Sequence, residues 1–165
     1  MDTIISYLNL LKDKRKEAII NYHNKNLPLI KKALGSSNNH HVWKGGYKDH
    51  IKECLKISHN LFSSLQQIRP LPFSLDSAII VLYFHDIEKM YKYTSGKIID
   101  KEKYYNDALF KSGINFTAEE INALTHIHGE GTNYSSKVKV MNSLAAFCDA
   151  VDTISSRIWF DHGKN

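Results

Sequence analysis

Apolar residues recur along most of this chain at the three- and four-residue intervals of a helix, and the polar breaks between them are short. Ile4, Ile5, Leu8 and Leu11, with Ile19 further on, share one side of a first helix that Asp2 caps and that runs to about Tyr22. Pro28 opens a short helical turn ending near Gly35. The stretch Ser36 to Gly46 is polar and closes on the breaker Gly45-Gly46. A long helix from about Tyr47 to Gln67 follows, and Arg69-Pro-Leu-Pro72 stops it. Ser74 reads as the N-cap of a helix through Tyr91 or Tyr93. Within it, Ala78-Ile-Ile-Val-Leu-Tyr-Phe84 is apolar on every side and would also suit a buried strand. The run continues into Ile87 and Met90 at helical spacing, among helical neighbours, so a buried central helix is expected. Gly96 interrupts the pattern, Lys101 to Lys111 is helical, and Gly113 ends it. Thr117-Ala-Glu-Glu120 is a capping box for a helix through about His126. Gly129 to Ser136 is a loop, and a last helix spans about Val138 to Phe160. No repeat, low-complexity tract or glycine fingerprint for dinucleotides interrupts this order. The expectation is an all-α bundle of about six or seven helices with the longest inside.

Composition narrows the class. A chain of 165 residues is one domain's worth, and 42% hydrophobic with 24% charged residues is too apolar for a disordered chain. No apolar run approaches the roughly 20 residues that span a bilayer, and no signal-peptide core stands at the N-terminus. Cys54 and Cys148 make neither a disulfide framework nor a CxxC pair, so a reduced, cytoplasmic protein is expected. Twenty-two basic against 17 acidic residues leave a charge of +5, which suits phosphate-bearing partners. Much of that excess lies in Lys12 to Lys16, Lys31, Lys32 and Lys101 to Lys111, which read first as solvated helix faces.

Histidines beside acids change the picture more. His85-Asp86 follows the apolar run directly, and two adjacent ionisable groups in a buried helix need partners. They differ by about 100° in direction, close enough to reach one ion. His50 stands in the first turn of the long helix, with Cys54 and Ile57 at i+4 and i+7, so it faces inward. His59 is about half a turn round and points away. Asp149 and Asp152, at i and i+3, share a face of the apolar last helix. Two His and two Asp on three core helices form a nitrogen and oxygen donor set suited to Mn, Fe, Zn, Co or Mg.

The order His50, His85-Asp86, Asp149 resembles the His…His-Asp…Asp signature of the HD-domain metal-dependent phosphohydrolases. The resemblance covers roughly residues 39–158. Asn39-His-His-Val-Trp-Lys-Gly-Gly-Tyr-Lys-Asp-His50 is similar to a His-His-x-x-x-Gly-Gly-x-x-x-His segment of one branch, which includes an exoribonuclease. Phe84-His-Asp-Ile-Glu-Lys89, His126-Ile-His-Gly-Glu130 and Phe147-Cys-Asp-Ala-Val-Asp152 are similar to its Leu-His-Asp-x-Gly-Lys, His-His-Gly-Glu and Ala-Asp-x-Leu-Asp segments. The resemblance implies one HD-type domain over residues 1–165, with a core at 39–158 and an N-terminal helix at 2–24 packed on it. It implies a divalent metal held by His50, His85, Asp86 and Asp149, with His126 and His128 as ligands of a second ion or as catalytic groups. Departures stand beside it: His-Ile-His replaces His-His, and no histidine follows Ile98-Ile-Asp-Lys-Glu-Lys-Tyr.

Those ligands imply metal-activated water attacking a phosphoester, with Asp86 accepting a proton or orienting the water. The residues expected to meet substrate are Lys89, Lys92 and Arg157 for phosphate, His41, Lys44 and Tyr47 in the glycine-bearing loop, and Glu130 and Asp152. A small nucleotide or related phosphoester is the expected substrate, because the chain carries no added nucleic-acid module. RNA or DNA ends are the alternative that the basic charge supports, and a non-catalytic, metal-bearing nucleotide sensor is the third reading. A homodimer is compatible with each.

Overall fold

A computed structural model describes residues 3–159. All of its regular elements there are helical: α1 (Thr3–Leu8), α2 (Lys16–Ile30), α3 (Gly46–Ile68), α4 (Leu75–Phe84), α5 (Glu88–Ser95), α6 (Lys101–Tyr104) running into a π-turn (Tyr105–Leu109), α7 (Ala118–Thr125), a 3₁₀ turn (Gly131–Asn133) and α8 (Ser143–Arg157). α3, α4 and α8 pack on one another, and α7 closes against α4 and α8. α1 and α2 lie outside this group, α1 against α3 and α2 against α5. Every residue of α4 from Ala78 to Phe84 is buried, as a helix apolar all round requires. No helix among the described residues is long and apolar enough to cross a membrane.

Two caps stand where the pattern puts them. Ser74 accepts from the Ser77 amide, and Thr117 and Glu120 form the full capping box. Three boundaries differ, each for a tertiary reason. The first helix breaks between Leu8 and Lys16, because Asp13 accepts from the Arg15 amide while Arg15 reaches across to Glu120. The expected Asp2 cap lies outside the described residues, as does Phe160 at the expected end of the last helix. Pro28 sits inside α2 rather than opening a new turn. The face Ile19, Tyr22, His23, Asn26 and Ile30 is buried on both sides of it, and that packing outweighs one missing backbone hydrogen bond. The last helix starts at Ser143, not Val138. Asn142 caps it through the Ala145 amide, and Asn122 ties the preceding strip down by donating to Val140 O and accepting from the Asn142 amide.

The expected helix through Tyr91 is also interrupted at the residues that matter most. Between α4 and α5 the backbone tightens to i to i+3 bonds, Ile87 N to Phe84 O at 3.2 Å and Lys89 N to Asp86 O at 3.0 Å. Such tightening leaves carbonyls that a regular helix would occupy. Leu82 O takes His85 Nδ1 at 2.7 Å, and His85 O takes Lys101 Nζ at 3.1 Å. The turn is thereby pinned by side chains.

Candidate metal centre

His50 comes from the first turns of α3, His85 and Asp86 from the tightened turn after α4, and Asp152 from α8. All four are buried. His50 Nε2 lies 3.2 Å from His85 Nε2, 3.5 Å from Asp86 Oδ2 and 3.1 Å from Asp152 Oδ1. His85 Nε2 lies 3.2 Å from Asp86 Oδ2 and 3.4 Å from Asp152 Oδ1. Ligand atoms about 2.1 Å from one ion stand about 3.0 Å apart in an octahedron and about 3.4 Å apart in a tetrahedron. These separations are those of a coordination polyhedron.

The hydrogen bonds behind the imidazoles decide which atoms face the centre. Leu82 O can only accept, so His85 Nδ1 carries the proton. Ser155 Oγ donates to Glu53 Oε2 at 3.0 Å, so it accepts from His50 Nδ1, also at 3.0 Å. Each neutral ring therefore turns an Nε2 lone pair inward, and the two carboxylates add oxygens. Neither oxygen of Asp86 accepts a well-formed hydrogen bond, although both are shut off from solvent. Four acceptors meeting in a buried place repel one another unless a cation lies among them. Cys54 Sγ, 3.8 Å from His50 Nε2, adds a soft donor beside them, so the described residues could hold a metal ion.

The electrostatics agree in sign. Burial opposes charge on both imidazoles, yet both are held above the ordinary range. His50 is raised by Cys54 and by hydrogen bonds to Asp152 and Asp86; His85 is raised to about 10 by the Asp86 charge and by Asp152. Burial likewise opposes ionisation of Asp86 and Asp152, but the imidazoles hold both well below the usual carboxylate range, Asp152 through His128 as well. Lys89 joins them with Nζ 2.5 Å from Asp86 Oδ2. The centre of the cluster is a place that favours positive charge.

The loop before α3 closes one side. Gly46 passes so near His41 that a Cβ there would stand 1.9 Å from the His41 carbonyl oxygen. His41 itself adopts φ 52°, a conformation uncommon outside glycine. Its Nε2 lies 3.1 Å from Glu53 Oε2, the oxygen that also holds Ser155, while its Nδ1 lies 3.0 Å from His40 Nδ1. Burial, then the charge of His50, lowers His40 to about 4. His128 stands at the open rim, its side chain 56% exposed, with Nδ1 3.2 Å from Asp152 Oδ2 and Nε2 3.9 Å from Asp86 Oδ1.

Several expected site residues lie elsewhere. Asp152, not Asp149, meets the imidazoles; Asp149 is half-buried and takes no part in these contacts, because the packed face of α8 is Leu144, Cys148, Val151 and Asp152. His126 is buried at the end of α7 and does not join His128, so the two do not converge on a second ion. Lys92 is exposed with Nζ over the Tyr93 ring, Lys44 and Arg157 are exposed, and Tyr47 is a core residue only 3% exposed. Glu130 Oε1 accepts from the Met141 amide and holds its loop. His59 is half-buried beside Tyr7, away from the cluster. Glu53, Ser155 and His40 were not foreseen. A signal for two of them was present, since Glu53 is three residues after His50 and Ser155 three after Asp152. Compared with known proteins, the chain matches no family model, and neither a characterised protein nor a solved structure is significantly similar to it.

Proposed function

We propose that this chain is a metal-dependent phosphohydrolase that cleaves a phosphoester of a small nucleotide or related metabolite. The observation that carries the reading is the convergence of four acceptor atoms from three packed elements at coordination spacing. The ordered His…His-Asp…Asp resemblance to HD phosphohydrolases supports it, with Asp152 in the place the sequence pattern assigns to Asp149. The donor set suits one ion of Mn, Fe, Zn, Co or Mg, held by His50, His85, Asp86 and Asp152. Such an ion, when bound, polarises a phosphoryl oxygen and makes hydroxide accessible near neutral pH.

The chain's own groups supply the rest. Lys89 places a cation beside Asp86, where it balances negative charge on the phosphoryl oxygens. His128 is held by Asp152 through Nδ1, and its Nε2 is the group at the rim that can pass a proton to the leaving oxygen. Ser155 and Glu53 keep the His50 ring in its ligating tautomer.

Phosphate release from ribo- and deoxynucleotides, a cyclic nucleotide and bis(p-nitrophenyl) phosphate, each with Mn²⁺, Mg²⁺, Co²⁺ or Zn²⁺, tests the reading beside the Asp86→Ala variant. At least one substrate is expected to turn over in the wild type and to fall by about a thousandfold or more in the variant, with loss of bound metal. A wild type that binds metal yet hydrolyses none of them overturns the proposal.

A further inference from the structure

Beside His128 a cavity of about 410 Å³ opens between the π-turn and α7. It is larger than a phosphate needs and falls in the range of small-molecule sites, about 300–1,000 Å³. Its lining differs in kind from the metal centre. Ile121 and Leu124 give an aliphatic wall, the ring of Tyr105 gives a second apolar surface, and Asn106 is exposed with a donor and an acceptor. Glu102 and Thr125 complete it. Lys101 lines it as well, but its charge is already directed at His85 O, 3.1 Å away, and at Glu88, 3.7 Å away. Tyr105 is 7% exposed and donates to Phe84 O, which fixes this wall to the turn that carries His85 and Asp86. A π-turn in a short helix is uncommon and recurs at functional sites. Here it forms one wall of the only cavity described above that shares a residue, His128, with the metal centre.

We propose that this cavity is the specificity pocket of the site and takes a nucleobase. The inference rests on the phosphoester reading for the position of the phosphate, but its own warrant is the lining. A nucleobase joins two flat apolar faces to an edge of donors and acceptors. Ile121, Leu124 and Tyr105 cover the faces, and Asn106 reads the edge. A phosphate bridging Lys89 and His128 would leave the base directed into the cavity, so binding energy from the base positions the reacting ester.

The test uses free nucleosides, which carry no phosphate. The full chain is titrated with adenosine, guanosine, cytidine, uridine and, as a control, ribose, and backbone NMR signals are followed. At least one nucleoside is expected to shift signals of the π-turn and α7 while ribose does not. Ile121→Trp, which fills the cavity, should weaken that binding tenfold or more, and Asn106→Ala, an exposed change that cannot unfold the core, should weaken it several-fold. The proposal fails if no nucleoside shifts those signals at millimolar concentration, or if both variants bind as the wild type does. Nucleoside binding without any phosphoester turnover would overturn the reaction class and leave the pocket standing.

Discussion

Two groups of charges are buried in this molecule, and they are built in opposite ways. In one, Arg15 lies between Asp13 and Glu120, and each of its five N–H groups has its own acceptor: two on Asp13, two on Glu120 and the carbonyl of Asn115. Glu120 Oε2 also receives the Thr117 amide, so the ion pair and the capping box share one carboxylate. Nothing remains to be satisfied, and the group ties the start of α2 to the start of α7. In the other, His50, His85, Asp86 and Asp152 bring acceptors together, with Lys89 the one cation among them. A matched cluster is structural; an acceptor-rich one of the same burial is a place for a ligand.

The largest effect that separates the two concerns the acid on α8. Asp152→Ala should remove bound metal and lower turnover by about a thousandfold, whereas Asp149→Ala should retain both, as read by elemental analysis and phosphate release. The reverse result would mean that α8 is rotated by most of a turn's quarter from the described packing. Arg15→Ala comes next. It strands Glu120, 0% exposed, and should cost about 3–5 kcal/mol in urea unfolding, with metal stoichiometry unchanged in the folded fraction. A loss below about 1 kcal/mol would show that this cluster is not holding α2 to α7.

Ser155→Ala should act more gently, weakening metal affinity by about ten- to a hundredfold in a chelator competition, because it frees the His50 ring without removing a ligand. An unchanged affinity would place the control of that ring elsewhere. The smallest effect belongs to His59→Ala, within about 0.5 kcal/mol of wild-type stability and with normal turnover. A large rate loss there would contradict the described phase of α3.

Helical periodicity was legible because it is local. The spacing of Ile51, Cys54, Leu55 and Ser58 sets the buried face of α3 and turns His50 inward and His59 aside. Ser74 and Thr117 cap where they stand because a cap is a contact with the next turn. His85-Asp86 drew notice because buried charge needs a partner, whatever the fold.

The choice between Asp149 and Asp152 was not local. The two share one helix and lie about 60° apart round its axis, so only the rotation at which α8 packs on α3 and α4 selects between them. Neither was the break before Lys16, since it depends on a glutamate 105 residues further on from Arg15. Pro28 inside α2 and the tightened turn at His85 follow the same logic, one held by a buried face and the other by distant side chains on freed carbonyls. Amino-acid order alone thus specifies the helices, most of their caps and two of the three elements that supply the centre. Packing decides which side chain of the third reaches it, because a helix carries its phase in its residues but takes its rotation from its neighbours.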